Sequence, residues 1–318
     1  MTRSGLGTWS VVGKRLVQCL IVACLLMSIG ALAAAAPDIE AKAVDDLLRA
    51  SKTPSREDLT RLLGTPKADP WLLAEHLVAR DRGDVAMALA TLTKPDEVGP
   101  LRAYVEGAST GDRATRLAAL DAGRDAALQG SLDEALGHLR TARTAGSRPS
   151  TTGVRVLQLR GHIQKAQEHE TEAIQTWLRA GEEALRLGWW RGAQLAFDTA
   201  IENAFAARSF DLLAQAMEGL RAVRELRGQA LELASTEYDL GSISHWRGDL
   251  PGAVRHYTEA ARIYEALGKS DDVAGAKSLR SLVLAELGDV RAAMQDQSEL
   301  APYLSLIHIS EPTRLESK

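Results

Sequence analysis

The sequence predicts an all-α chain in which antiparallel helix pairs stack into a right-handed helix-turn-helix solenoid behind an N-terminal leader. Three observations carry this. Ala, Leu, Arg and Glu dominate, and aromatic residues make up only 4% of the 318 residues, a composition suited to close-packed helices. Small residues recur at a fixed spacing through the second half of the chain. No proline occurs between Pro149 and Pro251, as a run of uninterrupted helices requires.

The leader comes first. Arg3, Lys14 and Arg15 precede an apolar run from Leu16 to Ala35 that ends in small residues before Pro37. A basic start, an apolar middle and a small-residue end predict a signal peptide over residues 1–35, and with it an exported protein, periplasmic or extracellular. The run is also long enough to span a bilayer, so membrane anchoring by residues 16–35 is the alternative. Ile21-Val22-Ala23-Cys24 resembles a lipoprotein box, although apolar residues continue beyond Cys24. Both cysteines, Cys19 and Cys24, lie in this segment, so a mature chain would contain no thiol for a disulfide, a nucleophile or a metal. Its removal takes away three positive charges and moves the formal charge from −4 to −7. With no long basic run, nucleic acid is not an expected partner.

Residues 36–112 read as a helical lead-in, with residues 37–68 loosely attached. Ser55-Arg56-Glu57-Asp58 has the form of a capping box. Asp69-Pro70-Trp71 supplies a cap, a first-turn proline and the start of an apolar stripe through Leu72, Leu73, His76 and Leu77. Pro95 and Pro100 mark loops or helix starts.

The repeat occupies 113–303. A small residue recurs at Gly123, Gly161 and Gly241; twelve positions on stand Ala135, Ala173 and Ala253; seven further stand Ala142, Ala180 and Ala260. A truncated last copy has Gly288-Asp289 and Ala293, and a degraded copy between Gln194 and Arg227 places Leu213 and Leu220 at the alanine positions. Two antiparallel helices joined by a tight turn approach closely only where their crossing point carries Gly or Ala. The turn itself needs a residue tolerant of positive φ, hence Gly130, Gly248 and Gly288. Asp249 is placed to cap the next helix, with Pro251 in its first turn.

These spacings resemble the tetratricopeptide repeat (TPR) family, over roughly Arg116 to Tyr303. The copies recur at 38 and then 40 residues instead of the family's usual 34, as in its extended variants. The resemblance implies a scaffold that binds a protein or an extended peptide on the inner face formed by the first helix of each pair. The family's inward positions fall on Arg124, Arg155, Gln158, His162 and Lys165, then Asp198 and Glu202, then Tyr238, Ser242 and His245. They imply a groove basic in its earlier copies and acidic in its later ones, fit for a peptide of mixed charge. Trp177, Trp189, Trp190 and Trp246 are expected to pack between helices.

No catalytic constellation, cofactor site or metal site is expected, and the chain as given reads as a non-enzyme. His76, His138, His162, His169, His245 and His256 are scattered and predict solvated helix surface. Gly241-Ser242-Ile243-Ser244 lies inside a predicted helix, and no phosphate loop or nucleophile elbow occurs. The carboxylates alternate with Arg on helix faces.

After Tyr303 the helical pattern is expected to stop. Leu304–Arg314, LSLIHISEPTR, resembles the translation of a Nextera-type sequencing adapter, which implies that residues 304–318 are a non-native tail and the chain a fragment of a longer protein. The stretch from Asp69 to Glu106 is diffusely similar to the front of bacterial TPR proteins that end in a CHAT domain, a caspase-like cysteine peptidase. The alternative function is therefore the regulatory front of such a peptidase, with no catalytic residue of that family present in this chain.

Overall fold

A computed structural model describes residues 39–66, 68–107, 110–143 and 149–309. The leader and residues 310–318 lie outside the described residues. Among the described residues there are fifteen α-helices and no strand. The fold is all-α and TPR-like, and it divides into two compact units, the first ending at Trp189 and the second beginning at Trp190.

The first unit contains α1 (Ile39–Ala50), α2 (Arg56–Leu63), α3 (Pro70–Ala79), α4 (Gly83–Ala90), α5 (Pro95–Glu106), α6 (Thr110–Leu128), α7 (Leu132–Ala142), α8 (Thr151–Ala166) and α9 (Glu170–Leu187). Local chemistry sets their starts. Ser55 and Asp58 form the capping box of α2, each side chain satisfying the other's backbone N–H. Asp69 caps α3 through the Trp71 N–H at 2.8 Å, ahead of a proline whose missing N–H costs nothing there. Pro95 starts α5, but Pro100 lies inside that helix rather than at a boundary. It follows Gly99, which has no Cβ to meet the proline ring and has open space around it. The lead-in is also better attached than its sequence suggests. Val44 of α1 is fully buried, Arg80 Nε donates to Asp45 at 2.7 Å, and the Asp69 N–H donates to Glu40 at 3.1 Å.

A buried polar network ties α3 and α5 to α6 and α8. Glu75 accepts from Arg113 Nη1 at 2.7 Å, from Thr152 Oγ1 at 2.6 Å and from the Tyr104 hydroxyl. The Arg113 guanidinium also lies 4.2 Å from the Tyr104 ring centroid. Glu75 is 1% exposed, and both of its oxygens accept from these donors, as a buried carboxylate requires.

The second unit contains α10 (Trp190–Ala206), α11 (Phe210–Leu226), α12 (Ala230–Trp246), α13 (Leu250–Ala266), α14 (Ser270–Glu286) and α15 (Val290–Ile309). Each helix packs on the next. The five from α10 to α14 have 17 residues each, separated by three-residue turns, which is the origin of the 40-residue period. Every turn uses the same device. Gly248, at φ 77°, donates to the His245 carbonyl at 2.9 Å, and Asp249 donates to the Ser244 carbonyl at 2.8 Å, a Schellman closure. Asp249 then caps α13 through the Gly252 N–H. The left-handed residue recurs at Glu168, Gly188, Arg208, Gly228, Gly248, Gly268 and Gly288, every twenty positions, with glutamate and arginine each standing once where glycine is favoured.

The small residues do what their spacing implies. A Cβ on Gly161 would stand 2.5 Å from Trp177, one on Gly241 2.7 Å from Tyr257, and one on Gly123 3.0 Å from Leu139. In each pair a large side chain sixteen positions on fills the notch. The degraded copy inverts the arrangement, with Phe197 of the first helix lying against Gly219 of the second. In the last copy Ser281 takes the notch and accepts from Gln297 Nε2 at 2.6 Å. The second-helix alanines at 135, 142, 173, 180, 253 and 260 are all fully buried.

The backbone corrects the reading of the tail. Helix α15 runs past Tyr303 to Ile309, where a break was expected. Pro302 lies inside this helix, and beyond it Leu304, Leu306 and Ile307 are apolar and helix-compatible, with no further Gly or Pro before Pro312.

Candidate functional site

Helices α10, α12 and α14 are the first members of their pairs, and each is left with one exposed stripe after packing. On α10 it runs through Leu195, Asp198, Glu202 and Phe205; on α12 through Leu231, Tyr238, Asp239, Ser242 and Trp246; on α14 through Ser278, Leu282 and Glu286. Most positions step by three, four or seven, which keeps them on one helical face, and on α12 Asp239, next to Tyr238, and His245, three on from Ser242, widen the stripe. They recur at the 40-residue period, so Glu202, Ser242 and Leu282 are equivalent.

The candidates Asp198, Glu202, Tyr238, Ser242 and His245 all lie on this stripe. Tyr238 meets the Tyr257 ring edge-on at 5.7 Å, and the Ser242 hydroxyl is 3.0 Å from the Tyr257 hydroxyl. His245 Nε2 lies 3.0 Å from Glu286 Oε2, linking α12 to α14. Loss of hydration raises the pKa of Asp198, opposed by the Arg224 charge, and it raises that of Asp239 against the same arginine. Asp239 remains exposed to solvent while surrounded closely enough to lose hydration, the condition of a carboxylate in a hollow. Desolvation and then the Asp239 charge push the Tyr238 phenol up as well.

In the first unit, Arg155, Gln158, His162 and Lys165 share one face of α8 and are all half-buried. His162 packs edge-on to Trp177 at 5.0 Å, and burial, helped by the Lys165 charge, lowers its pKa to about 4. The Gln158 carbonyl accepts from Trp177 Nε1 at 3.1 Å, while its side-chain Nε2 is buried with no hydrogen-bond partner. Arg124 on α6 is engaged with Asp121 at 3.3 Å and Asp125 at 3.6 Å, so its charge is largely met within its own helix.

Several expectations change. Trp177 and Trp189 pack between helices, the latter donating to Asp69 at 3.1 Å, but Trp246 is 56% exposed and rests on Phe210 at 5.6 Å. His76 and His256 are buried rather than solvated, and His256 Nδ1 lies 2.8 Å from the buried Glu237. Glu75, Glu237 and Asp296 are carboxylates that depart from surface patterning because each faces a buried cation or histidine. Sequence reasoning missed Leu195, Phe205, Asp239 and Leu282 on the stripe. The 40-residue register, projected onto helical faces, was the signal that could have found them. Among the described residues no group of three or more His, Cys, Asp or Glu is placed to hold a metal ion, and no helix is long and apolar enough to cross a membrane.

No protein-family model matches the chain, nor does any curated protein sequence. Among solved structures, NprR in complex with its cognate peptide NprX matches at 12% identity and a TM-score of 0.23, covering 76% of this chain and 84% of that one. A likeness that loose carries no argument about this chain.

Proposed function

We propose that this chain is a non-catalytic scaffold that holds a protein or an extended peptide against the exposed stripe of its first helices. The observation that carries the proposal is the register of α10, α12 and α14. Equivalent positions stay exposed or half-exposed at every repeat, so side chains from three helices present one strip while the remaining faces are largely used up between neighbours. Peptides selected from a random display library against the full chain should bind, and Glu202→Arg together with Leu282→Arg should abolish that binding. Both residues are exposed, so the substitutions change the strip without disturbing a core. A failure to select any peptide, or binding indifferent to both substitutions, would refute the proposal.

An exported address belongs to the same proposal and rests on the basic-apolar-small order of residues 1–35. N-terminal sequencing of protein recovered from outside the cytoplasm should begin near Ala36, whereas an intact leader favours the anchored form. A place at the front of a longer protein, with a CHAT-type peptidase domain as the alternative function of the whole, rests on the character of residues 304–314 and the diffuse likeness of 69–106. Sequencing the source DNA across codon 303 decides it.

A further inference from the structure

We propose that the stripe of α10, α12 and α14 docks an arginine-bearing segment of a partner that also carries bulky apolar side chains, an inference that rests on the peptide-binding function proposed above. Two independent features of the stripe define this chemistry.

The first is apolar. Leu195, Phe205, Leu231, Trp246 and Leu282 are large hydrophobic residues left exposed on these three helices, Leu195 by 52% and Phe205 by 59%. Single exposed apolar residues are ordinary, but here five fall on three successive first helices, at different positions of the repeat. Phe205, Leu231 and Trp246 stand in the first or last two residues of their helices, while the other exposed large hydrophobics of this unit, Leu226, Leu267, Leu287, Val290 and Met294, lie on no first helix.

The second is charge. Asp198, Glu202, Asp239 and Glu286 lie among those apolar residues. The cations of α14 face the other way: Lys277 Nζ donates to Glu299 at 2.6 Å and Arg280 holds Asp296 through contacts of 2.5 and 2.8 Å, both acceptors on α15. The cation that reaches the acids is Arg224, from α11, and its guanidinium is already committed to the Glu232 carbonyl and the Thr236 hydroxyl. Arg224 is the shared positive charge that acts on both Asp198 and Asp239, and Asp198 takes a further side-chain hydrogen bond from Gln194, so one cation already engaged elsewhere faces two partly desolvated carboxylates and leaves room for an incoming one. The half-buried Tyr238 ring beside them favours a planar guanidinium over an ammonium, since arginine stacks on aromatic faces and forms forked bonds to carboxylates. The apolar residues on either side would take up the segment's own bulky side chains.

The probe is a labelled peptide alternating arginine and leucine, titrated against the full chain beside an arginine–serine and a glutamate–leucine counterpart. The arginine–leucine peptide should bind more tightly than both. Asp198→Asn with Asp239→Asn should weaken it by roughly threefold to tenfold, the scale of two charge contacts at a partly screened site. Glu225→Gln with Glu265→Gln, which removes the same charge from exposed positions on α11 and α13, should leave it unchanged. Equal weakening by the two double variants would overturn the inference, because net charge alone would then explain binding. If the glutamate–leucine peptide binds best and Leu282→Arg abolishes it, the peptide-binding function stands and the inferred ligand chemistry is wrong. If none of the three peptides binds while library-selected peptides do, the ligand chemistry again fails; if none of either kind binds, both fail.

Discussion

Replacing Gly241 by alanine tests the idea that these helix pairs are set by notches rather than by general apolarity. A Cβ at this position would stand 2.7 Å from two carbons of the Tyr257 ring and 3.0 Å from a third. Ordinary carbon contact begins near ~3.5 Å, so ring or helix must move by about 0.8 Å. The ring has little freedom: Tyr257 is 1% exposed, lies edge-on to Tyr238, and its hydroxyl is held 3.0 Å from Ser242. Overpacking of this kind costs about 1–3 kcal/mol, against a helix-propensity gain for alanine of about 1 kcal/mol. The expected net loss is about 1 kcal/mol, the middle of the overpacking range less the propensity gain. Gly275 in α14 is the control, a mid-helix glycine whose added Cβ meets nothing within 4 Å, so Gly275→Ala should stabilise by about 0.5–1 kcal/mol. Equilibrium urea unfolding followed by far-UV circular dichroism measures both. If Gly241→Ala is neutral or stabilising like its control, the notch is not what sets the helix approach.

Further substitutions probe the turns, the buried network and a titration. Arg208 adopts a left-handed φ of 52° where most equivalent turns carry glycine, so Arg208→Gly should raise stability by about 0.5 kcal/mol after the unfolded chain's added entropy, while Gly248→Ala should lower it by about 1 kcal/mol, both read from urea midpoints. Arg113→Met strands the buried Glu75 charge and should cost about 3–5 kcal/mol, and adding Glu75→Met should restore most of it; a double variant as unstable as the single would contradict the pairing. Burial holds His162 down to about 4 in the folded chain, below the 6.5 of an unperturbed histidine, so the unfolded state takes up the proton first. Stability attributable to this group is therefore complete above pH ~6.5 and lost as pH falls toward ~4, by up to roughly 3 kcal/mol. Urea midpoints across that range should fall less steeply in His162→Gln, and parallel curves would refute the assignment.

The turns and crossings were legible in the sequence because they are local and periodic. Gly248-Asp249-Leu250-Pro251 announces a left-handed closure, a cap and a first-turn proline within four residues, and Gly161 and Gly241 announce notches by repeating with their alanines. Buried polar groups were not legible, since a carboxylate or histidine reads as surface until its partner is known. The partners of Glu75 stand 38 and 77 residues away, and no period relates them. Pro100 misled because its cost depends on the preceding residue's Cβ, which Gly99 lacks. The polar half of the stripe followed from the repeat positions, but Trp246 and Leu282 did not, because large apolar side chains are assigned to a core by default.

The most direct test of the account is amide hydrogen exchange on the full chain, free and saturated with a display-selected peptide. The account predicts that added protection concentrates in α10, α12 and α14. Protection concentrated in α11 and α13, or no added protection at saturation, would contradict it.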